Sequence, residues 1–191
     1  MPMINESSAF NEDTFMCDEF LRLKEKYGIE IAVETGTYHG ITTLWLSKNF
    51  STVYTTEINK AYRDQAVKNL SGVTNVNFYL NDSITALPEI LKKCDNKTII
   101  FLDAHWYKNP VLKELEIIAQ SGLKPVIAIH DFKNPNHPDY GFDIYPDQNI
   151  VYEWKWVEAY IKAIYGEGKF EHYYNDKATG AKRGCLFLIP K

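Results

Sequence analysis

With 191 residues, 45% of them apolar and 14% aromatic, the chain has material for one packed α/β core, and a single domain over residues 1–191 is expected. A formal charge of −4 gives no electrostatic basis for binding nucleic acid or an anionic membrane, and no apolar run approaches a membrane span. Three scattered cysteines (Cys17, Cys94, Cys185) and a start, Met1-Pro-Met-Ile-Asn-Glu, unlike a signal peptide point to reduced thiols in a cytoplasmic protein.

Residues 1–12 are polar, and a helix is predicted from Thr14 to Tyr27, stopped by Gly28; together residues 1–28 make an N-terminal helical segment. Its apolar positions Phe15, Phe20, Leu21 and Leu23 are only partly periodic. Ile29 to Gly40, I-E-I-A-V-E-T-G-T-Y-H-G, sets the frame for the downstream elements. A strand over 29–34 ends in Glu34, a loop carries Gly36 and Gly40, and a helix over 40–49 begins with Ile41, Leu44 and Trp45. The second strand, 52–57, ends in Glu57; a helix from an Asn59 cap to Leu70 and a strand over 75–80 come next. Ser83 reads as the cap of a short helix, with Pro88 opening a fresh turn. Thr98 to Asp103 is nearly all apolar, as a central parallel strand buried on both faces would be. Asn109-Pro110 starts a helix that ends at Gln120, and Pro125 to His130 is the fifth strand.

The stretch 132–148 differs in kind, with prolines at 135, 138 and 146, Gly141, and the aromatics Tyr140, Phe142 and Tyr145. A loop of this length is expected to be functional, here on the substrate side. Ile150, Trp154, Val157, Ile161 and Ile164, spaced 4, 3, 4, 3, predict a helix ended by Gly166. Two strands, Lys169–Tyr174 and Gly184–Ile189, joined by a polar turn containing Thr179-Gly180, close the chain as a hairpin.

In alternating β/α sheets ligands sit at the carboxyl ends of the strands. Those ends carry Glu34-Thr35-Gly36, Glu57, Asp82-Ser83, Asp103-Ala-His105 and His130-Asp131. Gly36 permits a tight turn and close backbone approach, and the helix beginning near Gly40 points free N–H groups at the same place. The G-x-G-x-x-G spacing of dinucleotide sites is absent, because position 38 is Tyr, and Glu34 would repel a pyrophosphate. A nucleoside carrying a positive charge suits the loop better. Glu57, twenty-one residues after Gly36, is the expected partner of ribose hydroxyls. Each acid also has a plainer reading: Glu34 and Glu57 as strand-end acids, Asp82 and Ser83 as helix caps.

These motifs, from Glu34-Thr35-Gly36-Thr37-Tyr38-His39-Gly40 through Glu57, Asp82-Ser83 and Phe101-Leu-Asp103-Ala-His105 to Ile129-His130-Asp131, resemble the class I S-adenosylmethionine-dependent methyltransferases. Within that class the chain looks like the small O-methyltransferases of the macrocin O-methyltransferase group. The resemblance implies a Rossmann-like doubly wound, mostly parallel seven-stranded sheet with an antiparallel C-terminal strand, and S-adenosyl-L-methionine as cofactor. It implies that Glu34, Thr35, Gly36, Thr37 and Gly40 hold the methionine part, Glu57 the ribose and Asp82 with Ser83 the adenine, with Asp103 alongside. It further implies transfer to a hydroxyl of a small molecule or sugar, and an N-terminal helix that covers the cofactor; an edge helix that only packs is the alternative.

Asp103, His105, His130 and Asp131 would meet across the fourth and fifth strands. Carboxylates with imidazole can hold a divalent cation, and in the resembling enzymes a metal (Mg²⁺ or Mn²⁺) on Asp103, His130 and Asp131 would lower the pKa of the acceptor hydroxyl. A metal-free reading makes His105 or His130 the general base, and a third leaves His130 as a buried, hydrogen-bonded strand-end residue. Trp106, Tyr107, Tyr140, Phe142 and Tyr145 can wall a substrate or merely pack the loop. With no separate substrate domain, the 132–148 loop, the N-terminal helix or the second copy in a homodimer must complete the acceptor pocket. Two other functions stay open: a metal-dependent nucleotide-sugar glycosyltransferase using Asp103-Ala-His105, and a non-catalytic Rossmann-like relative.

Overall fold

The computed structural model describes residues 6–104 and 109–191. In chain order the elements are α1 (Thr14–Tyr27), β1 (Ile31–Thr35), α2 (Ile41–Asn49), β2 (Thr52–Glu57), α3 (Lys60–Asn69), β3 (Val76–Leu80), α4 (Ser83–Leu91) and β4 (Thr98–Leu102). Then come α5 (Val111–Ser121), β5 (Val126–His130), β6 (Ile144–Tyr145), β7 (Ile150–Val151), α6 (Trp154–Tyr165), β8 (Phe170–Tyr174) and β9 (Cys185–Pro190). Seven strands form one sheet in the order β3-β2-β1-β4-β5-β9-β8. β9 pairs antiparallel with both of its neighbours, while the pairs among β1 to β5 are parallel.

Strand alternation divides the core between the two faces of this sheet. Val33, Ile100, Leu102, Ile127, Ile129, Leu186 and Leu188 pack with α4, α5 and α6. Ala32, Ile99, Phe101, Val126, Ala128 and Phe187 pack with α1, α2 and the turn at 6–12, around a cluster of Phe10, Phe20 and Trp45. Burial on both faces is why β4 and β5 read as unbroken apolar runs. Helix α1 turns Met16, Phe20 and Leu23 into this core.

Three local expectations need correction. The cap of α4 is Asp82, not Ser83: its carboxylate accepts the Thr85 N–H at 2.8 Å, and Ser83 becomes the first helical residue. Pro88 lies inside α4 and does not start a new turn. The carbonyl that its missing N–H would have paired belongs to Ile84, a residue on the exposed side of the helix. The last helix begins at Trp154, because β-branched Ile150 and Val151 pair with Ile144 and Tyr145 in a small hairpin closed through left-handed Asn149. The stretch 132–148 is therefore partly built.

Asp13 ties the N-terminal segment to the C-terminal hairpin. Its Oδ1 accepts N–H groups from Phe15 (3.0 Å), Met16 (3.4 Å) and, across the chain, Thr179 (3.2 Å). Burial pushes this carboxyl upward, and the backbone N–H bonds pull it back. Asp13→Ala should lower unfolding stability by about 1–2 kcal/mol, the usual loss for a helix cap. Urea midpoints at constant m would show it; an unchanged midpoint would mean that water replaces the carboxylate without loss.

Candidate active site

The ligand edge is set by register. Glu34 lies opposite Thr55 of β2 and Phe101 of β4, and Leu102 opposite Ile129 of β5, so the carboxyl ends of four strands finish level. β1 sits where the strand order reverses, the crevice in which open α/β sheets bind ligands. The loop after β1 bends back over β2: the N–H groups of Gly36 and Thr37 both donate to the Thr56 carbonyl, at 3.0 and 3.1 Å. Gly36 has φ 93, and a Cβ there would lie 2.6 Å from the Asp103 carbonyl oxygen. Gly40 (φ 80) begins α2 against Ala66 and Leu70 of α3.

Glu57 sits beneath this loop. Its Oε2 accepts the Tyr38 N–H at 2.8 Å, and its Oε1 accepts the Asn59 N–H at 2.9 Å. Each oxygen keeps a second lone pair for a ligand hydroxyl. Asp82 follows on the same edge, occupied by capping Thr85 through N–H and hydroxyl (2.8 and 3.1 Å), with Ser83 buried beside it.

Glu34 is the most buried of the strand-end acids. Its Oε2 accepts from the hydroxyls of Thr43 (2.5 Å) and Thr55 (2.7 Å), and Thr55 shares a further bond of 2.6 Å with Thr37. Burial raises its pKa to about 8; the two threonines oppose this, while Asp103 and Glu57 add to it.

At the ends of β4 and β5 the predicted meeting occurs. His130 Nδ1 is 2.9 Å from Asp103 Oδ1 and 3.4 Å from Asp131 Oδ2. Asp131 has φ 54, and this left-handed turn brings its carboxylate back alongside His130. Burial opposes charge on the imidazole, but Asp131 and Asp103 outweigh it and hold His130 well above its ordinary pKa. With Nδ1 turned to these carboxylates, that nitrogen is occupied by the cluster. Arg183 extends the cluster: its Nε donates to Asp131 Oδ1, and its Nη2 donates to Asp143 Oδ1 at 2.5 Å. Tyr145 donates to the other Asp143 oxygen at 3.1 Å. An open cavity of about 420 Å³ adjoins this chain of charges, lined by Asn11, Asp131, Asp143, Tyr145 and Arg183 among others.

Ligand atoms of Asp103, His130 and Asp131 lie within 4.8 Å of one another, close enough to surround an ion. The donor set nevertheless does not fit a divalent cation in this arrangement. The imidazole Nδ1 is turned to the two carboxylates, and a guanidinium already holds Asp131.

The sheet thus brings together Glu34, Thr35, Gly36, Thr37 and Glu57, and separately Asp103, His130 and Asp131. His105, Trp106 and Tyr107 lie outside the described residues. Tyr140 does not line the cavity: it is buried, stacks on His137 at 4.5 Å and accepts the Ala178 N–H at 3.0 Å. Sequence reasoning missed Arg183, Asp143, Thr43 and Thr55. A threonine opposite Glu34 could have been found by aligning the ends of β1 and β2; nothing in the spacing marks Arg183.

Comparison with solved structures gives the architecture its name. An O-methyltransferase from Bacillus cereus, solved in complex with SAH, superposes with a TM-score of 0.64 at 19% identity, covering 92% of this chain and 80% of that one. The chain has the class I methyltransferase fold. TomG, an O-methyltransferase of Streptomyces achromogenes involved in tomaymycin synthesis and solved with SAM, gives 0.64 at 16% identity over 92% of this chain and 79% of its own. An rRNA methylase from Streptococcus thermophilus gives 0.59 at 15% over 90% and 94%. No family model and no curated protein matches the sequence. At these identities the likeness is one of fold.

A carboxyl whose folded pKa lies above its unfolded value binds more protons when folded, so its contribution to stability falls as pH rises between the two values. For Glu34 that window runs from the ordinary glutamate range up to about 8. Glu34→Gln keeps an acceptor for Thr43 and Thr55 but cannot ionise. The melting temperature of the variant relative to wild type should therefore climb from pH 5 to pH 8; a constant difference would show that Glu34 titrates normally.

Proposed function

We propose that the chain transfers a methyl group from S-adenosylmethionine to a hydroxyl of a small molecule or sugar. The observation that carries this is the clasp between Glu57 and the glycine loop: a carboxylate at the end of β2, held by the Tyr38 and Asn59 amides and facing the crevice beside β1. That is where a ribose diol would be bound. The acid-lined edge suits a cationic cofactor and would repel a pyrophosphate. In this reading Glu34 and the Gly36 backbone hold the methionine part, directly or through water, and Asp82 with Ser83 holds the adenine, with exposed Ile58 and Ile84 as apolar surface for its ring.

In the transfer the acceptor oxygen attacks the methyl carbon in line with the departing sulfur, which takes the bonding pair and leaves as S-adenosylhomocysteine. The hydroxyl proton goes to Asp103, the more exposed of the two carboxylates flanking His130. His130, with its Nδ1 between them, keeps both carboxylates in place. The cavity beside Asp131 and Asp143 would repel a polyanion, which favours a small hydroxylated acceptor over RNA. The glycosyltransferase alternative is not favoured, because the solved structures described above are methyltransferases and Asp103 is engaged with His130.

Calorimetric titration with S-adenosylhomocysteine tests the cofactor. Wild type should bind saturably, and Glu57→Ala should weaken binding roughly 10- to 100-fold, as loss of charge-assisted hydrogen bonds does. Wild-type protein that takes up no ligand would end this reading. Because Glu57 also braces the loop through both oxygens, Glu57→Gln, which keeps one of the two acceptors, should lose less binding and less melting temperature than Glu57→Ala.

A further inference from the structure

We infer that Arg183 is the resident counter-cation of the strand-end carboxylates, standing in for a divalent metal, so that the cluster takes up no Mg²⁺ or Mn²⁺ while Arg183 is present. Its use in methyl transfer rests on the function proposed above; its effect on metal binding does not.

Two observations carry this. The first is the ion pairing. Asp103, His130 and Asp131 offer ligand atoms within 4.8 Å of one another, yet Asp131 is held by Arg183 Nε, and the same guanidinium spans to Asp143 through Nη2 at 2.5 Å. A hard divalent cation needs these oxygens for itself, at short range and in near-ideal geometry. It would have to expel a planar donor fork that matches carboxylates well, or sit beside a fixed positive charge.

The second is that the fold makes room for this side chain. Gly141 does not have a left-handed backbone, so conformation alone does not require glycine there. Arg183 instead lies in the space that a side chain there would enter: a Cβ would lie 2.7 Å from Arg183 Nη1 and 3.0 Å from its Cδ, so the arginine's tip would have to move aside. The main chain on either side of Arg183 is pinned as well. Gly141 N–H donates to the Lys182 carbonyl and Gly184 N–H to the Gly141 carbonyl, both at 2.9 Å, while the Asn175 side chain donates to the Arg183 carbonyl at 2.8 Å. A surface arginine that had merely found an acid would not have its path cleared by a glycine and its backbone fixed on both sides. Arg183 is a positioning residue here: it orients Asp131 and Asp143 at the cavity wall.

Mn²⁺ titration followed by electron paramagnetic resonance tests the proposal without an acceptor. Wild type should show no saturable site at submillimolar Mn²⁺, and its affinity for S-adenosylhomocysteine should not change with EDTA. Arg183→Ala should gain a Mn²⁺ site at least tenfold tighter than any wild-type binding, and adding Asp131→Asn should remove it. Arg183→Gln serves if the alanine variant does not fold. Saturable wild-type binding that Asp131→Asn abolishes would overturn the proposal. So would a folded Arg183 variant that still binds no Mn²⁺. If wild type fails to bind S-adenosylhomocysteine, the methyltransferase reading falls and the Mn²⁺ comparison still decides the role of Arg183.

Discussion

The main chain of Asp103 runs so close under the first strand-end loop that one added methyl group at Gly36 would sit 2.6 Å from its carbonyl oxygen. This contact locks the end of β1 to the end of β4, reinforced by the Asp103 N–H donating to Thr35 at 3.2 Å. Because β1 is also in register with β2, the same contact sets Glu57 and Asp103 on opposite sides of one crevice. Loosening it would change the distance between the two halves of the site together. Small residues here are thus a condition of the geometry: Gly36 for the approach, Thr35 and Thr37 for hydroxyls that reach neighbouring strands.

Gathering acids along one buried edge is electrostatically costly, and the chain relieves it in three different ways. Glu34 sits in an apolar surround with two threonine donors and holds its proton to about pH 8. Glu57 stays beside backbone amides, which donate to both of its oxygens. Asp103, Asp131 and Asp143 are gathered around the His130 imidazole and the Arg183 guanidinium. A uniform row of ionised carboxylates would repel itself; the graded one leaves Glu57 and Asp103 on either side of the place where a cationic cofactor would lie.

How much of this was legible depends on the range of the interactions. The strands and their terminal acids were, because alternation, apolar runs and the interval from Gly36 to Glu57 are local or fixed by the β/α repeat. The pairing of Asp103 with His130 came once β4 and β5 were placed side by side. Arg183 was not legible: it reaches Asp131 across 52 residues through a hairpin whose turn has no readable geometry. Ile150 kept the helical interval but was taken by a two-residue hairpin, since apolar residues in step cannot report where hydrogen bonding begins. Asp82 and Ser83 are both good caps, and only the chain's path chose the acid.

The turn preceding α1 shows how the N-terminal segment reaches the wall of the cavity beside Asp131 and Arg183. Phe10, Asn11 and Glu12 all have positive φ, at 52, 58 and 66, a run that disfavours ordinary side chains by about 1 kcal/mol or more apiece. It persists because both ends are held. Phe10 is buried among Phe20, Trp45 and Phe101 with its N–H on Thr42, and the Asn11 carbonyl accepts the Ala181 N–H at 3.1 Å beside Gly180, where a Cβ would lie 2.2 Å from that oxygen. The left-handed run turns the chain sharply enough to set Asn11 on the cavity wall with Asp143 and Arg183. Burial of one aromatic ring, worth about 2–3 kcal/mol, offsets most of that strain. The N-terminal segment therefore contributes to the site through this turn, while its helix does the packing.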